Sequence, residues 1–305
     1  MKKNVLLLGA SGVLGRQILD TLSKSQEINL SVSFQATQTL EMRNGYPNIE
    51  FLVLKLANIF KNPTSFDFRK YDVVINCIGA IKQRGYDDQE MYAINSIFPR
   101  IISKNIENSN TRLIHFSTDC VFAGTKVDVN NEKRPHDATD QYGLSKSLGE
   151  VHQKNVFNLR SSFVGEEEKT SYSLLAWFKS QPIGATISGF TNQFWNGIGA
   201  LQYSFLVSAM IHKDFYDLME VTHIVPRDQV SKYGLLELFR KHYNRSDIDI
   251  QAVESVNFVY RVLSSSYPKI NEELWKIAEY EKIPSIEEMI YEQAEFSKSR
   301  QFLIG

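Results

Sequence analysis

The first half of the chain alternates short runs of β-branched and aliphatic residues with longer stretches whose apolar residues recur at helical spacing. Asn4–Leu8, Asn29–Phe34, Glu50–Leu54, Asp72–Cys77, Arg112–Ser117 and Val156–Arg160 read as strands, with helices over Gly12–Lys24, Gln89–Asn108 and Gln141–Lys154. Strands that are apolar nearly throughout suit a parallel sheet covered on both faces. The pattern predicts an α/β fold, a Rossmann-like doubly wound parallel sheet, over residues 1–162. Beyond this the rhythm breaks into mixed segments, with helices expected at Tyr172–Ser180, Gly199–His212 and Ser231–Tyr243. Residues 163–305 are therefore assigned mainly to a smaller mixed α/β C-terminal substrate lobe, with some segments returning to the main domain. No repeat, low-complexity tract or flexible linker sets the lobe apart, and Glu166-Glu167-Glu168-Lys169 reads as a solvated loop.

Composition narrows the function classes. Of 305 residues, 43% are hydrophobic and 23% charged, as in an ordinary globular protein. Lys and Arg total 34 against 35 Asp and Glu, so the net charge of -1 offers no broad field for a nucleic-acid backbone or an anionic membrane. Phosphate recognition must then be local. The apolar run Asn4–Leu8 after Met1-Lys2-Lys3 is too short for a signal-peptide core or a membrane span, so a soluble, cytoplasmic protein is expected. Cys77 and Cys120 form no disulfide framework and have no Cys or His at metal-ligand spacing, so no metal is expected.

The first strand runs directly into Gly9-Ala10-Ser11-Gly12-Val13-Leu14-Gly15 and then a helix. At Gly9 and Gly12 a missing Cβ lets the backbone turn sharply and approach phosphate oxygens, while the helix start offers free N–H groups and a positive dipole end. Gly15 would let the helix pack close to the strand. Gly9, Ser11, Gly12, Val13, Leu14 and Gly15 are thus cofactor-binding candidates, the alternative being a tight turn in some other α/β protein. An acidic residue at the end of the second strand would bind an adenosine ribose, but Ser33-Phe34-Gln35-Ala36-Thr37 contains none. NADP is the expected cofactor, with NAD as the alternative; Arg43 is either a partner for a 2′-phosphate or a surface residue.

Tyr142 and Lys146 stand at i and i+4, on one face of a helix about a turn apart. An ammonium beside the phenol is expected to lower its pKa and fit it for proton transfer, and Lys146 could also bond a nicotinamide ribose. By itself the pair equally describes two solvated side chains. Upstream, the strand Arg112–Ser117 ends at Ser117-Thr118-Asp119-Cys120, whose hydroxyls either reach the same crevice or cap the strand end.

GASGVLG, INCIGA, INSIFP, STDCVFAG and YGLSKSLGE occur in the order and approximate spacing of the extended short-chain dehydrogenases. Within that family the chain most resembles the dTDP-4-dehydrorhamnose reductases, over roughly residues 4–165. The resemblance implies a catalytic trio of Thr118, Tyr142 and Lys146. It also implies a cofactor lining that includes Cys77, Ile78, Gly79 and Ala80, and an ordering role for Asn95 beside the cofactor. Asn76 and Asn95 read otherwise as a strand-end turn residue and a helix-surface amide. The implied reaction is reduction of a sugar keto group, at C4, on a nucleotide-activated deoxysugar used in cell-surface polysaccharide biosynthesis. Relatives commonly form dimers, which makes a homodimer an open expectation. Asp119, Cys120, Phe163, Asn192, Gln193 and Trp195 are the substrate-binding candidates. Of these, the amides and the tryptophan sit in Gly189–Gly197, which suits base and hexose contacts or simple packing.

Two positions depart from the family pattern. Cys120 stands where the reductases usually have Tyr, and Leu54-Lys55-Leu56-Ala57-Asn58 lacks the Asp that often reaches the adenine. One alternative is an NAD-dependent epimerase or dehydratase, although Asp119-Cys120 lacks the Asp-Glu pair of the dehydratases. A second is a non-catalytic dinucleotide-binding subunit, like the regulatory subunit of methionine adenosyltransferase.

Overall fold

The computed structural model describes residues 2–34, 45–167 and 171–304. Its centre is a seven-stranded sheet built on β1 (Lys3–Leu8), β2 (Ile28–Phe34), β3 (Glu50–Val53), β4 (Val73–Asn76), β5 (Arg112–Ser117) and β6 (Val156–Arg160). Across the sheet the order is β6-β5-β4-β1-β2-β3, with the strand Val221–His223 added beside β6. Every pairing is parallel. The order reverses between β1 and β4, so the carboxyl ends of those strands flank the crevice where such folds bind ligands.

The strands read as apolar nearly throughout because each face of the sheet has its own core. Val5, Leu7, Val73, Ile75 and Ile114 point to one side, where the helices Val13–Leu22 and Ala200–His212 cover them. Leu6, Leu8, Val74 and Leu113 point to the other, against the helix Phe98–Asn105. The Ala200–His212 helix comes from the second half of the chain yet packs on Val13–Leu22, with Thr21 and Ser204 hydroxyls 2.7 Å apart. Together with Val221–His223 it returns chain from beyond residue 163 to the main sheet.

The expected single helix over Gln89–Asn108 is three segments: Asp88–Tyr92, a π-helical turn at Ala93–Ile97, and Phe98–Asn105. Asp87 and Glu90 cap its start reciprocally. Pro99 has no N–H to give the Asn95 carbonyl, which explains why the helix widens there. The Gln141–Lys154 helix ends early, at Gly149, because Glu150 takes an extended backbone and turns its side chain inward. The helices Leu56–Lys61, Pro268–Ile277 and Ile286–Ile304 lie outside the segments expected to be helical from the sequence.

In the lobe, Thr186–Phe190 pairs with Asp249–Val253, while Gln193–Trp195 lies between Val230–Ser231 and Val259–Tyr260. Among the described residues no helix is long and apolar enough to cross a membrane.

A Cβ on Gly15 would lie 2.2 Å from the Gly9 carbonyl oxygen, so the first helix meets the phosphate turn backbone to backbone. Gly15→Ala is expected to cost about 1–3 kcal/mol through overpacking. Thermal denaturation checks this, and an unchanged midpoint would contradict the close packing.

Candidate active site

At the end of β1, Gly9 adopts φ +79°, and a Cβ there would stand 2.9 Å from Ile78 N. Glycine is therefore required twice over, by conformation and by the close approach of the chain after β4. The Gly12 N–H closes the turn on the Gly9 carbonyl at 3.1 Å, and Gly12 then caps the helix Val13–Leu22 with no side-chain partner and no acid in the first turn. A Cβ on Gly12 would meet no protein atom closer than 3.6 Å, so the fold itself does not demand glycine there. An uncapped, acid-free helix start with open backbone before it fits a pyrophosphate. Ser11 is exposed, and Gly12 and Val13 partly so. Leu14 has its side chain in the core and, like the buried Gly15, offers a phosphate only its backbone.

Beyond β2, Ser33 and Phe34 are buried, whereas Gln35–Thr37 and Arg43 lie outside the described residues.

Asn76, at the end of β4, accepts from the Ile78 N–H at 3.1 Å and donates to His115 Nδ1 at 3.1 Å. His115 is buried, and burial followed by the Lys146 charge holds its pKa well below the usual histidine value. Cys77 and Ile78 are partly exposed beside the glycine turn, Gly79 is exposed and Ala80 is buried.

Asn95 clamps this loop. Its Oδ1 accepts the Ala80 N–H at 2.8 Å, and its amide donates to the Ala80 carbonyl and to Ser145 Oγ, each at 3.0 Å. Both amide hydrogens are consumed and the residue is 1% exposed, so the structure makes Asn95 a brace between the cofactor loop and the Tyr142 helix. This geometry agrees with an ordering role and, because the residue is buried, corrects the surface-amide reading.

The Tyr142 helix, Gln141–Gly149, is capped by Asp140, which accepts the Gly143 N–H at 3.0 Å. A Cβ on Gly143 would fall 2.2 Å from the Cys120 carbonyl, so the helix rests directly on the backbone after Thr118. Tyr142, Thr118 and Lys146 are thereby drawn to one edge. The Thr118 hydroxyl neighbours the phenol and acts to lower its pKa. Thr118 Oγ1 accepts from the Cys120 N–H at 3.2 Å and donates to Asp119 Oδ1 at 3.1 Å. Lys146 Nζ donates to the Phe116 carbonyl at 2.6 Å.

The electrostatics differ from the expectation. Burial, with Cys120, Asp119 and Asp140 nearby, raises the Tyr142 pKa; only the Thr118 hydrogen bond opposes it. The Lys146 ammonium is turned toward the sheet edge, where the Phe116 carbonyl takes its hydrogen bond. Lys146 itself is lowered to about 8 by burial, against the opposing pull of Glu150 and Cys77. The phenol is therefore a group that keeps its proton and gives it only to a stronger base.

Asp119 is buried and its pKa is raised by burial, partly offset by Arg261. The Cys120 thiol is pushed up to about 12 by burial and then by Asp119. Arg261 reaches across from the lobe to the Phe122 carbonyl at 2.9 Å, Cys120 Sγ at 3.6 Å and Asp140 Oδ2 at 3.8 Å. No motif around Arg261 signals this placement. Phe163 is exposed and meets Tyr203 edge to face, and Trp195 is partly buried against the larger core.

Asn192 and Gln193 are turned to another purpose than expected. Asn192 exchanges hydrogen bonds with the Ser255 backbone at 2.8 and 2.9 Å, and Gln193 donates to Ser255 Oγ and the Asn257 carbonyl. Their amides tie down the 255–257 segment.

A family model described as the RmlD substrate binding domain matches residues 2–295. A dTDP-4-dehydrorhamnose reductase of Mycobacterium tuberculosis is 37% identical over 90 residues, which is 27% of this chain and 29% of that protein. The match thus spans under a third of the curated relative's length. Among solved structures, a Bacillus anthracis dTDP-4-dehydrorhamnose reductase in complex with NADP superposes with a TM-score of 0.74 at 19% identity, covering 97% of this chain and 100% of that one. A UDP-glucose 4-epimerase of Thermotoga maritima, solved with UDP-glucose, gives a TM-score of 0.74 at 14% identity, covering 98% of this chain and 99% of that one. Fold likeness alone does not separate reduction from epimerisation.

Asn95→Ala would strand the buried Ala80 N–H and carbonyl, a loss of about 1–3 kcal/mol for an unsatisfied buried group. Urea denaturation is expected to show the decrease, and wild-type stability in this variant would remove the brace from the account.

Proposed function

Because this chain belongs to the RmlD substrate binding domain family, we propose that it is an NADP(H)-dependent reductase acting on the C4 keto group of a nucleotide-activated deoxysugar, in cell-surface polysaccharide biosynthesis. The observation that carries this reading is the convergence of Tyr142, Thr118 and Lys146 on the carboxyl edge of β5, beside a phosphate-fitting glycine turn.

When bound, the nicotinamide supplies the hydride that adds to the carbonyl carbon. Tyr142 gives its phenolic proton to the carbonyl oxygen, so that the keto group becomes a secondary alcohol, and solvent later restores the proton. A raised phenol pKa suits this direction, because the group is fully protonated at neutral pH and yields its proton only as alkoxide character develops. The Thr118 hydroxyl would turn its hydrogen from Asp119 Oδ1 to help hold the same oxygen. Lys146, as an ammonium, bonds the nicotinamide ribose and stabilises the negative charge left on Tyr142. Gly9, Gly12 and the first turn of the Val13–Leu22 helix hold the pyrophosphate.

Asp119, Cys120, Phe163 and Trp195 would border the sugar nucleotide, with Arg261 beside them. Cys120 leaves more room than Tyr at that position. A cytoplasmic location and a homodimeric assembly complete the reading, in keeping with the lack of any long apolar helix among the described residues.

Tyr142→Phe is expected to lower turnover by on the order of a hundredfold or more while leaving NADPH affinity nearly intact. NADPH oxidation with a panel of 4-keto nucleotide sugars measures the first and fluorescence titration the second; undiminished turnover would overturn the role. Turnover is also expected to fall as the pH rises through about 8, where Lys146 loses its proton, and to hold below that value. A pH profile flat across that range would remove the ammonium from the mechanism.

A further inference from the structure

Lys146 and Glu150 stand one helical turn apart, and their side chains land on consecutive residues of β5. Lys146 Nζ donates to the Phe116 carbonyl at 2.6 Å, and Ser117 Oγ donates to Glu150 Oε1 at 2.5 Å. Thr118 follows immediately. Glu150 is gripped in turn by Arg160 on β6, whose Nε reaches Oε1 at 2.9 Å and whose Nη2 reaches Oε2 at 2.6 Å. Glu150 is 4% exposed and Arg160 1%.

Two of the other three guanidinium hydrogens go to His223 Nε2 at 2.8 Å and His136 Nε2 at 2.7 Å. Arginine only donates, so both of these ring nitrogens accept. Each remaining N–H sits on Nδ1, facing the Ser264 carbonyl or Ser147 Oγ. Both imidazoles are neutral, and burial lowers their pKa accordingly, that of His223 to about 4. A buried pair of this kind adds little stability beyond what apolar side chains would give, so its place beside Lys146 points to another role.

We propose that Glu150, gripped by Arg160, is a positioning residue for the reduction: its carboxylate supplies the counter-charge for the Lys146 ammonium and fixes the end of β5 from which Thr118 projects. The inference rests on the role given to Lys146 above. Burial alone would raise the Glu150 pKa, but the Arg160 charge and hydrogen bonds hold it below the usual carboxylate value. Burial draws Lys146 down, and Glu150 is the foremost charge resisting it, ahead of Cys77. Other groups facing Lys146 are neutral at ordinary pH: the Cys77 thiol after β4 is pushed up by burial, and His115 on β5 is held uncharged. Without the carboxylate, burial would draw the Lys146 pKa lower still.

The test is a pH titration of Lys146 by NMR in the full chain labelled with 13C at lysine Cε, the resonance being assigned by its loss in Lys146→Met. The wild-type midpoint is expected near 8. In Glu150→Gln it falls by at least about one pH unit, and the basic limb of NADPH turnover moves with it. Glu150→Asp, which keeps the charge, restores most of the shift. Glu150→Gln leaves Arg160 unpaired and endangers folding, so the double variant Glu150→Gln with Arg160→Met is titrated in parallel and is expected to show the same fall. An unchanged midpoint in either folded variant overturns the proposal. The titration needs neither cofactor nor substrate, so a wild-type chain without reductase turnover would overturn the functional reading separately and leave the lysine midpoint to decide this one.

Discussion

The Gln141–Gly149 helix touches the rest of the molecule backbone to backbone at both ends, at Gly143 over the Cys120 carbonyl and at Gly149 over the Asn95 carbonyl. Any Cβ at either glycine would enter space already held by a carbonyl oxygen, and so would lift the helix from the sheet edge. The phenol of Tyr142 and the ammonium of Lys146 meet Thr118 and Phe116 only at that separation. Asn95 and Ser96 secure the contact from the far side, through Ser145 Oγ at 3.0 Å and the Ser145 carbonyl at 2.7 Å. Placing Asn95 there depends on the π-helical turn ahead of Pro99, so an irregularity in one helix sets the position of another.

Close docking has an electrostatic consequence. It removes Lys146, His115 and Glu150 from water together and leaves Tyr142 only partly exposed, and burial penalises the charged form of each. The phenol and the imidazole respond by staying neutral. Glu150 stays charged because Arg160 pairs with it through two hydrogen bonds, and Lys146 keeps its proton near neutral pH because Glu150 lies beside it. Charge therefore survives in this part of the interior where it is partnered, and the phenol is left as the proton donor.

The lobe completes the crevice from the opposite side. Arg261 crosses to Cys120, Phe122 and Asp140, while the amides of Asn192 and Gln193 hold the segment that leads toward it. Asn196 does the same at Leu263, with both its donor and its acceptor in use. Polar side chains in this region thus act first on the backbone that shapes the pocket wall.

The amino-acid sequence by itself determined the parallel sheet, the glycine turn and the Tyr142–Lys146 pairing, because each depends on neighbours close along the chain: two-sided apolar strands, a strand-to-helix junction and one helical turn. Tertiary structure alone decided that Arg261 and Arg160 reach the site, that Asn95 is a brace, that Asn192 and Gln193 serve the lobe backbone, and that Lys146 donates to the Phe116 carbonyl at the sheet edge. The strand Val221–His223 belongs with these, since so short a segment takes its form from what it packs against. The physical reason is common to all of them. A side chain's hydrogen-bonding partner and its loss of water are set by residues far away in sequence, and local spacing carries no record of either.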